Sequence, residues 1–324
     1  IYGNNHTGVY YNLDESLPKD LPSVIANTKL KEDYNMNTTH MILVDSSVAG
    51  SDVKKMSQEI EKVDGVKWVL GLDNLVGSGV PADMLPESVT GMLKNDKYQL
   101  LMVNSTYKVA TDKVNKQIEQ IDKIMDKYDK GAMLVGEGPL TKDLINITDT
   151  DFKRVSAVSI GIVFVIILLL FKSVTIPVIL VGVIEFAIFV NMGIPFYTGT
   201  KLPFVASIVI GTIQLGATVD YAILMTTRYQ RERSRGAGKF DAITTAHKFS
   251  AQSIIVSALS FFAATIGVGL YSNIDMISSL CILMARGALI SMVVVVLILP
   301  SLFMVFDKII VKTSKGFRPS GLKS

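Results

Sequence analysis

Five long runs of apolar residues between Val155 and Phe306 constrain this chain more than any other feature of its sequence. The hydrocarbon core of a bilayer is about 30 Å thick, so a helix needs about 20 mostly apolar residues to cross it. The runs therefore predict a multi-pass α-helical membrane bundle. The five predicted spans are 155–171, 176–194, 203–227, 250–271 and 287–306.

The fifth run is longer than one upright span, because the apolar segment extends from Met276 to Phe306 and contains Arg286. We expect an interfacial turn or helix before Arg286 and a span that begins at Gly287. Arg286 then lies near the headgroup layer, where it serves as an interfacial anchor.

The basic residues of the short loops predict the orientation of the bundle. They cluster in two places: Arg228, Arg231, Arg233, Arg235, Lys239 and Lys248 after the third span, and Lys308, Lys312, Lys315 and Arg318 after the fifth. Such clusters mark the cytoplasmic side of a membrane. The loop 228–249 and the basic tail 313–324 are therefore expected in the cytoplasm of a cell whose plasma membrane holds the domain 151–312. Residues 1–150 are expected outside it.

The expected extracytoplasmic domain, residues 1–150, repeats a pattern of strand, amphipathic helix and strand. The first copy comprises Thr39–Val44, Asp52–Lys62 and Val66–Leu70, and the second comprises Tyr98–Asn104, Asp112–Tyr128 and Ala132–Gly136. Two such copies predict an α+β domain with the ferredoxin-like split βαβ fold. A helix at 145–154 then leads into the membrane.

Composition and motifs exclude several functional classes. The net charge is only +3, and the basic residues flank apolar runs instead of combining with aromatic residues on one surface, so nucleic acid is not an expected partner. The chain has one Cys, three scattered His and no Walker-type phosphate loop. We therefore expect no metal site, no cofactor and no enzymatic activity.

The stretch Ile213–Leu224, followed by Arg228 and Tyr229, resembles the fourth or tenth helix of RND superfamily transporters, and more narrowly those of the MMPL family. Further resemblance lies in Ala285–Pro300 and in Asp14–Pro18. The resemblance covers nearly the whole chain and implies an RND-type bundle with an N-terminal porter domain.

In that family a full protein has two halves, each with one helix, a porter domain and five further helices. The resemblance implies that this chain is one half without its first helix. The short basic tail favours the second half slightly.

Asp220 carries the chemistry that the sequence predicts. A carboxylate within a span costs on the order of 2.5 to 3.5 kcal/mol, and apolar surroundings favour its neutral form, which can take up a proton from one side and release it to the other. Tyr221 lies about 100° further round the helix and would bond to a neighbouring helix. The resemblance implies that the Asp-Tyr pairs of the two halves meet. The alternative is a purely structural role, in which Asp220 pairs with a Lys or Arg of a missing helix.

Other polar residues within the spans are secondary candidates. Glu185 is either a second protonatable site or a protonated carboxyl that is hydrogen bonded to an adjacent helix. The candidates for lining a pathway are Asn191, Thr212, Gln214 and Thr218, although these residues could equally satisfy one another or the backbone.

The function expected from these features is secondary active export of lipids or other hydrophobic or amphipathic compounds, driven by the proton motive force. The substrate class comes from the resemblance alone. The alternative is a non-transporting sensor or scaffold of the sterol-sensing type. Expected partners are membrane lipids, a hydrophobic or amphipathic substrate and the missing half of the same polypeptide. A homo-oligomer is a further option.

Overall fold

The structure is a computed structural model that describes residues 2–12, 16–76, 86–314 and 317. The chain forms two units, one of Leu17–Asp149 and one that combines Ile1–Ser16 with Thr150–Ser324. The elements in chain order are α1 Tyr2–Asn5, β1 Val9–Tyr10, α2 Pro22–Tyr34, β2 Thr38–Asp45, α3 Gly50–Ile60, β3 Val66–Leu70, α4 Leu72–Val76, α5 Glu87–Leu93, β4 Tyr98–Ser105, α6 Asp112–Tyr128, β5 Met133–Gly136, α7 Glu137–Phe171, α8 Thr175–Thr198, β6 Leu202–Pro203, α9 Val205–Ser234, α10 Lys239–Tyr271, α11 Asp275–Val293 and, after a π-helical segment at Val294–Ile298, α12 Leu299–Thr313.

The unit Leu17–Asp149 is built on an antiparallel sheet with the strand order β3-β4-β2-β5. Strands β2 and β4 pair along their whole length, from Thr38 opposite Ser105 to Asp45 opposite Tyr98. Strand β3 pairs with the free side of β4, and β5 pairs with the free side of β2. The two consecutive strand-helix-strand segments, β2-α3-β3 and β4-α6-β5, are thus interleaved in one sheet.

One face of this sheet carries the core of the unit. The side chains of β2 alternate, so that Ile42 and Val44 are buried while their neighbours are less so. Helices α3 and α6 bring apolar stripes to the same core. The buried helix side chains in this core are Val53, Met56, Ile60, Ile121 and Met125. The helix-strand pattern of the sequence therefore specifies both the elements and the face that each one buries.

Five helices of the described residues are long and apolar enough to cross a membrane: Glu137–Phe171, Thr175–Thr198, Ile208–Ser234, Lys239–Tyr271 and Asp275–Thr313. Helix α8 lies at the centre of the second unit, since 61% of its most apolar stretch is buried, against 11% for α7. It packs against α9, α11 and α12. The first four predicted spans lie within α7, α8, α9 and α10, apart from Pro203 and Phe204, which precede α9.

The fifth helix differs from the expectation. From Asp275 to Thr313 the described chain stays helical, and only a π-helical segment at Val294–Ile298 interrupts the α-helical pattern. Of the interfacial turn or helix that was expected before Arg286, the structure has a helix, but this helix continues without a break into the segment that was expected to begin at Gly287. The helix continues through Arg286, whose guanidinium finds hydrogen-bond partners on α8.

The first residues of the chain belong with the membrane helices, whereas the sequence pattern grouped them with residues 17–150. Strand β1 pairs in parallel with β6, and the Thr7 hydroxyl donates to the carbonyl oxygen of Met192 on α8 at 3.0 Å. Gly3 packs so closely on α8 that a Cβ there would lie 2.9 Å from the carbonyl oxygen of Gly193. Of the regions singled out from sequence, residues 13–15 and most of the tail, at 315–316 and 318–324, lie outside the described residues.

Candidate functional site

Asp220 lies near the middle of α9, about 22 Å along the helix from Val205. Its side chain is exposed in this unit and has no hydrogen-bond or ion-pair partner among the described residues. Tyr221, the next residue, is buried in the apolar core of the helical unit. The structure therefore places the predicted Asp-Tyr pair on different faces of α9 and does not bring the two side chains together.

Asp220 closes one end of a groove between α9 and α10 that has a volume of about 410 Å³. We call it the basic groove. It is lined by Asp220, Ile223, Leu224, Thr227, Arg228, Arg231, Phe249 and Ser250. The guanidinium of Arg228 stacks on the ring of Phe249, with its Cζ atom 4.5 Å from the ring centroid. The lining of the groove thus combines one carboxyl group and two guanidinium groups with apolar side chains and two hydroxyl groups.

A second group of polar side chains joins three membrane helices. We call it the polar network: Asn191 on α8, Gln214 and Thr218 on α9, and Ser291 on α11. The Asn191 amide donates to Gln214 Oε1 at 2.9 Å and to a main-chain oxygen of α11 at 3.1 Å. The Gln214 amide and the Thr218 hydroxyl both donate to Ser291 Oγ, at 3.1 and 2.7 Å.

The polar network needs a residue without a side chain at Gly287. A Cβ there would lie 2.7 Å from Asn191 Nδ2 and 2.9 Å from Gln214 Oε1, which is too close for either amide. Gly287 therefore allows α11 to approach α8 and α9 closely enough for their amides to bond. Three of the four lining candidates, Asn191, Gln214 and Thr218, satisfy one another here, as one reading of the sequence allowed. Thr212, the fourth, is exposed, and the acceptors that the structure shows for it are carbonyl oxygens of its own helix.

Arg286 extends the polar network. Its Nε donates to Asn191 Oδ1 and its Nη2 donates to the main-chain oxygen of Asn191, both at 2.8 Å. The guanidinium is partly buried and is held by α8. The interfacial anchor expected from sequence stays a prediction, and the structure adds that Arg286 has a partner on α8.

Glu185, the other carboxyl in a predicted span, lies on α8 and is half-buried. It has no hydrogen-bond or ion-pair partner within the part of the chain that the structure describes. The hydrogen bond to an adjacent helix that one interpretation of the sequence required is not seen there.

A third group, at the charged end of α9, was missed in the sequence. The Asp307 carboxylate on α12 accepts from the Tyr229 hydroxyl at 2.5 Å and from Arg233 Nε and Nη2, each at 3.0 Å. Arg233 Nη1 also donates to the carbonyl oxygen of Ala237 at 2.7 Å. The signal that the sequence offered was Asp307 itself, a lone acidic residue in an otherwise basic segment. These contacts tie α12 to the end of α9.

The unit Leu17–Asp149 contains one buried imidazole. His40 on β2 is fully buried, and its Nε2 lies 3.4 Å from Gln117 Oε1 on α6. Gln117 donates in turn to the carbonyl oxygen of Asp64 at 2.8 Å. Burial lowers the pKa of His40, and the hydrogen bond with Gln117 opposes that shift only in part. This imidazole is therefore held in its neutral form.

A comparison with protein families identifies the chain. The model of the MMPL family matches residues 16–318, which is nearly the whole sequence. The chain belongs to the MMPL family. The match includes all five apolar helices and the unit Leu17–Asp149, so this MMPL chain is a multi-pass membrane protein.

Curated relatives of this MMPL chain come from several bacteria. It is 24% identical over 274 residues to the membrane protein YdgH of Bacillus subtilis, 23% identical over 280 residues to "Probable transport protein MmpL1" of Mycobacterium tuberculosis, and 22% identical over 302 residues to "Probable transport protein MmpL4" of Mycobacterium leprae. The alignments cover 78%, 78% and 89% of this chain. They cover only 28%, 27% and 31% of the relatives, so the chain spans about three-tenths of their length.

Proposed function

We propose that this chain is part of a secondary active exporter of lipids or other hydrophobic or amphipathic compounds that is driven by the proton motive force. The observation that carries the proposal is the carboxyl of Asp220, which lies in the middle of an apolar helix beside a groove and has no partner within the described part of the chain. A charged side chain in a span is costly, and such residues commonly mark ion or proton pathways. The family and the two relatives named as transport proteins support the same class.

In this proposal, protonation of Asp220 shifts the balance between two packings of the helices. Thr218 lies two residues before Asp220 on α9, and it bonds to α11 through Ser291 at 2.7 Å. A displacement of α9 would therefore be transmitted to α11 and α8 through the polar network. Glu185 and Tyr221 are proposed as further members of the relay, Tyr221 through a contact with a neighbouring helix.

The unit Leu17–Asp149 is proposed to be an extracytoplasmic porter domain with the ferredoxin-like fold. The support is its strand order, β3-β4-β2-β5, in which two strand-helix-strand segments interleave in one antiparallel sheet. The orientation rests on the basic residues near the end of α9 and in α12, which we place in the cytoplasm. Because the relatives are about three times as long, we propose that other parts of the polypeptide complete the pathway beside Asp220.

The test is efflux of a fluorescent amphiphile from proteoliposomes that hold the full-length protein and carry an imposed pH gradient. We expect Asp220→Asn to abolish the dependence of efflux on the gradient, because the amide cannot take up and release the proton. Asp275→Asn is the matched control, since this carboxyl is exposed at the start of α11.

Gradient-dependent efflux that persists in Asp220→Asn would contradict the role of Asp220 and move attention to Glu185. No efflux from the wild-type protein with any amphiphile would favour the non-transporting sensor or scaffold. Circular dichroism of each variant separates loss of coupling from loss of folding.

A further inference from the structure

The imidazole of His40 is buried against the start of α7. A Cβ on Gly138, the second residue of that helix, would lie 2.5 Å from His40 Cε1 and 3.1 Å from His40 Nδ1. The Nδ1 atom is buried and has no hydrogen-bond partner among the described residues. A residue with a side chain at position 138 would therefore not fit over this edge of the ring unless the helix shifted.

The hydrogen bonds of Gln117 identify the ring nitrogen that carries the proton. Its amide nitrogen donates to the carbonyl oxygen of Asp64 at 2.8 Å, so its Oε1 atom is the one that faces His40 Nε2. An amide oxygen accepts and cannot donate, so Nε2 carries the proton of the neutral ring and Nδ1 carries the lone pair. A second proton must therefore be added at Nδ1, beside Gly138.

The described surroundings of His40 offer no counter-charge to an imidazolium. The hydrogen bond that the structure shows for the ring is the one with Gln117, and strands β4 and β5, which flank His40, contain no charged residue. The charged residues on the other elements packed around it are Asp64 before β3, Lys113, Lys116, Glu119 and Asp122 on α6, and Glu137 and Lys142 on α7. Since none of them is bonded to the ring, a proton on Nδ1 would place a charge and an unpaired N–H in the interior of this unit.

Glycine also forms the junction between β5 and α7. Gly136 pairs with His40 across the sheet and has a φ of 135°, a conformation that favours glycine. From Glu137 the chain is helical without a break as far as Phe171. The first turn of α7 thus follows a glycine pivot directly, and it covers the nitrogen that would take up the proton.

We propose that His40 is a pH-sensitive latch for the first turn of α7, residues 137–140. At neutral pH the uncharged ring packs against Gly138 and the turn is closed. At acidic pH water must reach Nδ1 to solvate the imidazolium, and the turn opens at Gly136 to admit it. Because the unit Leu17–Asp149 is proposed to lie outside the membrane, the latch would respond to the pH of the outer compartment.

Proton linkage gives the size of the expected effect. Burial lowers the pKa of His40 in the closed state, and opening returns the pKa toward its ordinary value of 6.5. Opening therefore takes up a proton and is favoured as the pH falls. With a neutral ring in the closed state, the equilibrium constant for opening rises about 30-fold between about pH 7.5 and about pH 5.

The test is hydrogen-deuterium exchange of the full-length protein in detergent at these two pH values, with exchange times corrected for the pH dependence of the chemical step. The amides of residues 141–143 donate to carbonyl oxygens of the first turn in the α-helical pattern. Their exchange should be about 30-fold faster at the lower pH, and at least about fivefold faster, whereas the amides of β4 should keep their rate. The acceleration should disappear in His40→Gln, because an amide is not protonated, and should remain in His6→Gln, whose ring is exposed.

A second variant tests the contact while His40 stays in place. The methyl group of Gly138→Ala would overlap His40 Cε1, so exchange of residues 141–143 should be fast at both pH values. Gly91→Ala is the matched control, because it lies on α5 of the same unit with nothing within 4 Å of the added carbon. Its exchange should match that of the wild-type protein.

Four results would overturn the proposal. Exchange that does not depend on pH in the wild-type protein would remove the latch, and equal acceleration in β4 would show acid unfolding of the whole unit. Acceleration that persists in His40→Gln would assign it to another group, such as Asp122, whose pKa is raised by burial. Slow exchange of residues 141–143 in Gly138→Ala would show that the turn does not rest on the ring. Failure of the efflux experiment would refute proton coupling at Asp220 and leave the latch standing.

Discussion

Asp307→Asn removes the negative charge that holds two donors at the end of α9. In the structure the Asp307 side chain is 9% exposed and that of Arg233 is 18% exposed, so both charges are largely shielded from water. The Asn oxygen can still accept from the Tyr229 hydroxyl and Arg233 Nε, but its amide group faces the N–H of Arg233 Nη2. The guanidinium then lies partly buried without a counter-charge.

Breaking a buried ion pair by changing one partner costs about 3 to 5 kcal/mol. Because water reaches part of Arg233, we expect the lower end, about 3 kcal/mol, for Asp307→Asn. Arg233→Met should cost a similar amount, since it leaves the carboxylate unpaired. The double variant removes both charges, so its cost should fall at least about 1.5 kcal/mol short of the sum of the single variants.

The assay is reversible unfolding in mixed micelles with increasing SDS, followed by far-ultraviolet circular dichroism. Arg235→Gln breaks the ion pair with Glu232, in which the Arg235 side chain is 64% exposed, and should cost less than about 1 kcal/mol. Strict additivity of Asp307→Asn and Arg233→Met would refute the reasoning. So would a cost for Asp307→Asn no larger than that of Arg235→Gln.

Two further predictions concern close packing and acid stability. Gly287→Ala should destabilise the helical unit by about 1 to 3 kcal/mol in the same micelle assay, because the added methyl group overlaps the amides of Asn191 and Gln214. Gly182→Ala, on α8 with open space around it, should be neutral or slightly stabilising, and an equal effect of the two changes would contradict this explanation. In the segment 17–149, burial lowers the pKa of His40 below its ordinary value of 6.5 in the folded state. The unfolded chain therefore binds a proton more readily than the folded chain. The free energy of unfolding should fall as the pH falls below about 6.5. The measurement is urea unfolding followed by fluorescence of Trp68, the single Trp of the chain. We expect the free energy of unfolding to decrease by up to about 1.4 kcal/mol per pH unit, and His40→Gln should reduce this dependence on pH. An unchanged pH dependence in that variant would assign the loss of stability to other groups.

The elements themselves were largely predictable from the sequence. The helix Asp112–Tyr128 and the strand Val66–Leu70 have the predicted bounds, because amphipathic period and turn residues act over a few neighbouring positions. The apolar runs were found for the same reason, since the length of a run is a local property. The length of the fifth helix was not predictable in this way, because the sequence shows a charge at Arg286 but does not show the partner of that charge.

The sequence alone determined the five apolar helices, the alternating strands and the polar residues that can carry chemistry. Only the tertiary structure decided how those residues are used. Arg286 bonds to Asn191, 95 positions away, and Tyr229 bonds to Asp307, 78 positions away. The packing of α9 likewise turns Asp220 toward a groove and Tyr221 toward the core. Such pairings depend on which helix faces meet in space, and no local pattern along the chain contains that information.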